Sequence, residues 1–101
     1  MAVESPPPEV GWGTNPAPWW WFINRVNALL MAYPSTVTSW WRSAATNARV
    51  GGHPRSWHLY GLAVDLVPGP GVRSSDLSRV ASGYGLQVVD EGDHLHLEVP
   101  F

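Results

Sequence analysis

At 101 residues the chain is too short for a TIM barrel, a doubly wound nucleotide-binding fold or a two-domain enzyme. One domain fits, burying about two-thirds of the surface its unfolded chain exposes, which leaves room for a core and one site. The formal net charge is -2 and six arginines are the full cations, so no basic stripe is present to hold nucleic acid or an anionic membrane surface. With no cysteine there is no disulfide framework, no thiolate nucleophile and no Cys-based zinc site, and any metal must rest on His and carboxylate ligands. No apolar run approaches the ~20 residues that span a bilayer, and Met1-Ala2-Val3-Glu4-Ser5 lacks the basic and apolar regions of a signal peptide. The expectation is a protein that stays cytoplasmic until released, or leaves by a route not encoded here.

Residues 1–18 carry Pro6, Pro7, Pro8, Pro16 and Pro18, which suggests an irregular or polyproline-like arm before a single domain at 19–101. From Trp19 to Met31 no breaker occurs, and Trp19, Phe22, Ile23, Val26, Leu29 and Leu30 recur at helical spacing, predicting a buried helix. The β-branched and aromatic run from Thr36 to Trp41 predicts a strand closing at Arg42. Ser43 then offers an N-cap to a short helix ending at Gly51-Gly52, and a loop follows from His53 to Gly61. Leu62 to Val67 alternates as a strand, with Leu62, Val64 and Leu66 on one face and Ala63 and Asp65 on the other. Ser74 or Ser75 can cap a helix running to about Ser82. Leu86–Val89 and His94–Val99 read as a hairpin turning at Asp90-Glu91-Gly92. The fold class is α+β: a small antiparallel sheet with two or three helices.

All four histidines lie at 53, 58, 94 and 96, and period-two geometry puts His94, His96 and Glu98 on one face of the last strand. An exposed polar strand face is the plain alternative to a metal-binding lip. Asp65 sits within the apolar run AVDLV, where an unpaired buried carboxylate costs several kcal/mol. Arg42, backbone donors or a bound cation could each satisfy it. His58 stands seven residues upstream, across Gly61, and two histidines with one carboxylate are a common open zinc set. Asp93, three residues before His96, is a candidate proton acceptor, or else a turn aspartate.

Ser56-Trp57-His58-Leu59-Tyr60-Gly61-Leu62-Ala63-Val64-Asp65 matches the pattern SxHxxGxAxD, and Asp93-His94-Leu95-His96 matches the downstream (D/E)xxH element. The sequence thereby resembles the zinc D-Ala-D-Ala carboxypeptidase family, in its short single-domain branch, over about residues 35 to 101. Trp41-Arg42-Ser43 and Asn47 to Gly52 add to the likeness. The resemblance implies a single-domain zinc peptidase fold of the hedgehog/DD-peptidase type, Zn2+ as cofactor, and the metal ligands His58, Asp65 and His96. It also implies Asp93 as general base, Arg42 as the group holding the substrate carbonyl or developing oxyanion, and Ser56 in the substrate-contacting shell, with Tyr60 beside it. His94 is expected to stabilise charge near the scissile bond as a hydrogen-bond donor, unless it closes the site as a fourth ligand. For Arg42 the alternative is an arginine paired with Asp65 or Glu98. Departures from the family pattern are Trp57 at a position often polar, Ala44 where many relatives have Pro, and Asp93 where some branches have Glu.

The function implied is hydrolysis of peptidoglycan stem peptides by a monomer, of D-Ala-D-Ala carboxypeptidase or L-Ala-D-Glu endopeptidase type. The short chain without an export signal suits a phage-type lytic enzyme, cytoplasmic until lysis or carried in a virion. The competing hypothesis is a non-catalytic zinc-binding relative that holds cell-wall peptide or a protein partner through its tryptophans. Trp19, Trp20 and Trp21 are consecutive and point around much of a helix, so some must be exposed or meet the Pro-rich arm.

Overall fold

The computed structural model describes residues 17–100. Helix α1 spans Ala17–Ala32, so Ala17 and Pro18 belong to its first turn, where proline is tolerated because that N–H has no helical acceptor. The rest of the expected Pro-rich arm lies outside the described residues. Phe22, Val26 and Leu29 are fully buried at helical spacing, while Trp20 is 56% exposed. Trp21 carries the Arg25 guanidinium 4.0 Å above its ring, and Arg25 Nε donates to Tyr84 O at 3.1 Å, tying α1 to the end of α3.

Strand β1 covers Ser35–Ser39 and stops short of the expected Arg42. Its pairing is already irregular between Val37 and Ser39, and the next two residues leave the ladder because their indoles are engaged elsewhere. Trp40 Nε1 donates to Gly61 O at 2.9 Å and Trp41 Nε1 to Leu59 O at 3.0 Å. Helix α2, Ala44–Arg49, is capped as expected, with Ser43 Oγ accepting from Thr46 N. The expected loop at His53–Gly61 holds a 3-10 turn, Trp57–Tyr60, in which Ser56 Oγ accepts from His58 N and Gly61 closes at φ 71.

Strand β2 is Ala63–Pro68 and helix α3 is Ser74–Gly83. Neither Ser74 nor Ser75 caps α3; Arg73 takes the cap position without a side-chain bond. Strands β3, Gln87–Asp90, and β4, Leu95–Glu98, form the expected antiparallel hairpin. The sheet order is β1-β2-β4-β3, antiparallel throughout. One face carries Val64, Leu66, Leu95 and Leu97 against Phe22, Val26 and Leu29 of α1 and Leu77 and Ala81 of α3, all buried. Period two then sends Asp65, His96 and Glu98 to the opposite face, where the 3-10 turn lies. This α+β architecture is the expected one. Among the described residues no helix is long and apolar enough to cross a membrane.

Candidate metal centre

Asp65 and His96 are direct cross-strand partners of β2 and β4, so the backbone ladder itself sets their spacing. His96 Nδ1 lies 2.9 Å from Asp65 Oδ1. The third group arrives on the 3-10 turn: His58 Nε2 lies 3.2 Å from the same Asp65 oxygen. Two features place it there. Gly61 permits the left-handed turn into β2, and the Trp40 and Trp41 indoles hold the carbonyls that end the turn. His58 and Asp65 are buried at 1% and 6% exposure, so an uncompensated charge would be costly.

The far nitrogen of each ring is also held. His58 Nδ1 meets Trp40 O at 2.5 Å, and His96 Nε2 meets Glu98 Oε1 at 2.9 Å. With these oxygens to accept each far N–H, the near nitrogens can give up the proton they share with Asp65 and turn their electron pairs to a metal ion, the arrangement that metal-ligating histidines use. Bonds of about 2.0 Å at tetrahedral angles place ligand atoms about 3.3 Å apart, close to the 3.2 and 2.9 Å found. The donor set therefore fits zinc. The second Asp65 oxygen, Oδ2, is taken by Arg42 Nη2 at 2.9 Å, leaving Oδ1 for the centre.

Titration follows the same geometry. Burial pushes the Asp65 carboxyl up, but hydrogen bonds from His58 and His96, with the charge of those rings, outweigh it and hold the group far below the usual carboxylate range. The hydrogen bond to Asp65 raises His96 above its ordinary 6.5; burial opposes this and Glu98 adds to it.

The three residues line an open cleft of about 460 Å³, together with Arg42, Ser56 and His94. Arg42 pairs with Asp65, as the alternative reading of it held, and still faces the cleft. Ser56 both caps the turn and lines the cleft. His94 places Nε2 3.9 Å from Asp65 Oδ1, farther than the ring nitrogens of His58 and His96. Asp93 is not in the cleft lining. Its side chain is 90% exposed and meets His94 Nδ1 at 2.6 Å, so it reaches the centre through that ring. Tyr60 is not brought to the cleft either: it ends the 3-10 turn, half exposed, with its ring edge-on to Trp57. From the sequence alone no role at the site was given to Asn47, which bonds Arg42, or to Glu91 and Arg55, which line the cleft. A polar residue on a short helix beside Gly-Gly was the available signal for Asn47.

The family model described as Peptidase M15 matches residues 9–98. The chain belongs to the peptidase M15 family. This is a family of zinc D-Ala-D-Ala carboxypeptidase type, and the match reaches well before the motif-bearing stretch that starts near residue 35, taking in Trp12 and Trp19 to Trp21. No curated protein matches the chain. Membership in this peptidase family and the His58–Asp65–His96 group agree: M15 peptidases are zinc-dependent, and these three residues can hold a metal ion.

Proposed function

We propose that this chain is a zinc peptidase that hydrolyses peptidoglycan stem peptides, at a D-Ala-D-Ala bond as a carboxypeptidase or an L-Ala-D-Glu bond as an endopeptidase. The convergence of His58 Nε2 and His96 Nδ1 on Asp65 Oδ1, in the wall of an open cleft, carries the reading. His58, Asp65 and His96 would hold the zinc, which when bound supplies a Lewis acid for the scissile carbonyl and a water of lowered pKa.

The chain's own groups supply proton transfer and charge stabilisation. Asp93 and His94 work as one unit: the ring turns Nε2 toward the centre while the carboxylate holds Nδ1. In this arrangement the pair accepts a proton at Nε2 as water adds to the carbonyl and returns it to the leaving amine, and Asp93 stabilises the imidazolium formed between the two steps. Arg42 faces the cleft with a guanidinium fixed by its partners and meets the oxygen that becomes negative. Ser56 contacts substrate from the edge of the 3-10 turn. A lytic role of phage type requires the same cut in assembled cell wall.

The test is zinc content together with hydrolysis of soluble stem peptides and of intact sacculi by wild type, Asp93→Ala and His94→Ala. Stoichiometric zinc, peptide release by wild type and a fall in kcat of about 10²–10⁴-fold in either variant are expected. Full zinc with no release by wild type would sink the catalytic reading and leave the non-catalytic relative. Equal activity of all three forms would remove the Asp93–His94 pair from the mechanism.

A further inference from the structure

Asn47 is 3% exposed, although it lies on a short, mostly exposed helix. Its amide is divided between two elements of the cleft: Oδ1 accepts from Arg42 Nη1 at 3.2 Å, and Nδ2 donates to His53 O at 2.8 Å. Space is set aside for it. A Cβ on Gly52 would stand 2.1 Å from Asn47 Oδ1 and 3.1 Å from Arg42 Nη1, so residue 52 must be glycine for the amide to stay where it is.

The other contacts of Arg42 show what this achieves. Nε donates to Ser39 Oγ at 3.0 Å and Nη2 to Asp65 Oδ2 at 2.9 Å. The guanidinium thus meets three acceptors, one each at the end of β1, on α2 and on β2, and three points define a plane. A guanidinium carries five N–H donors. Three are used, and the remaining two, one on each Nη, have no acceptor among the described residues. Asp65 alone would leave the group free to swing about a single contact.

We propose that Asn47 is a positioning residue that fixes the plane of the Arg42 guanidinium and ties it to the His53 wall, aiming the two free N–H groups into the cleft. The proposal deepens the peptidase reading, and rests on it for the oxygen those groups would meet. Asparagine suits both tasks because it accepts from the cation and donates to the carbonyl. Aspartate could perform only the first and would compete with Asp65 for the guanidinium.

Two measurements test this on the full-length zinc-loaded protein. The first is independent of catalysis: 15N NMR of the Arg42 guanidinium, whose rotation about the Cζ–N bonds is slow in wild type and becomes fast in Asn47→Ala and in the near-isosteric Asn47→Leu, neither of which can accept from it. Unchanged rotation in both variants overturns the proposal. The second is a double-mutant cycle on stem-peptide hydrolysis. Asn47→Ala lowers kcat by about 10²-fold with KM and zinc content held, the scale on which a misplaced group costs rate. In an Arg42→Ala background the same change costs less than about twofold. An equal loss in both backgrounds overturns the proposal in favour of a general structural role. If wild type hydrolyses nothing, the peptidase reading fails while the NMR result still decides what Asn47 does.

Discussion

His96 stands between two carboxylates, Asp65 on Nδ1 and Glu98 on Nε2, and its behaviour follows from which of them it answers to. Glu98 fixes the ring so that Nδ1 faces the centre. Glu98→Gln weakens this second hold and lowers zinc affinity about 10–100-fold, read by competition with a chelating dye. Protons compete for the same nitrogen. In the metal-free protein His96 is raised above 6.5, so the stability it contributes is fully present below 6.5 and is lost as pH rises through its folded value. Asp65 is depressed from 3.8, so its contribution is present above 3.8 and is lost as pH falls through its folded value. Melting curves of the chelated protein should therefore decline on both sides of an acid-to-neutral optimum. Zinc affinity runs the other way across the His96 titration, strengthening as pH rises because the metal displaces the proton. A dissociation constant that failed to weaken on acidification would remove His96 from the centre. At this scale much was legible. The grouping of His58, Asp65 and His96 was legible through the family resemblance that SxHxxGxAxD and (D/E)xxH carry, and a carboxylate inside AVDLV announces a partner. Asn47 was not legible, because its importance lies in two contacts that the sequence spacing alone does not specify.

Among the elements, the Trp40-Trp41 pair shows where propensity misleads. Aromatic and β-branched residues read as strand because they usually fill a pleated, half-buried surface. Here the indole N–H groups are spent on the carbonyls of Gly61 and Leu59, and β1 ends at Ser39. The 3-10 turn was hidden for a related reason: its cap, Ser56, sits within a motif whose spacing reports chemistry and not helicity. Gly61 is the pivot, at φ 71 and ψ 17. Gly61→Ala places a Cβ in left-handed backbone at a cost of about 1–2 kcal/mol, which for a domain of this size lowers Tm by roughly 4–8 °C per kcal/mol. Because His58 lies three residues before the pivot, the same variant loses zinc affinity. A melting temperature within error of wild type would show that the turn does not depend on glycine there.

The molecule as a whole divides its sheet between two tasks. One face is apolar and packed by α1 and α3; the other gathers Asp65, His96 and Glu98. The α+β class and the hairpin were readable from alternation, since Leu95 and Leu97 are buried while His96 and Glu98 are half-buried. The strand order β1-β2-β4-β3 was not, since nothing local specifies which non-consecutive strands meet. A metal bound between β2, β4 and the 3-10 turn joins elements that a small core holds only weakly. Chelation should lower Tm, and zinc at 100 times its dissociation constant should restore about 2.7 kcal/mol. Unchanged melting on chelation would mean that the folded chain holds no zinc. The cross-strand placement of Asp65 and His96, 31 residues apart, also gives the centre a place in time. Their native spacing is set by the pairing of β2 with β4, so the complete ligand geometry belongs to that slow, non-local step. Zinc capture during refolding is therefore a clock: the loss of a dye–zinc signal would mark the moment the sheet closes, in unlabelled protein.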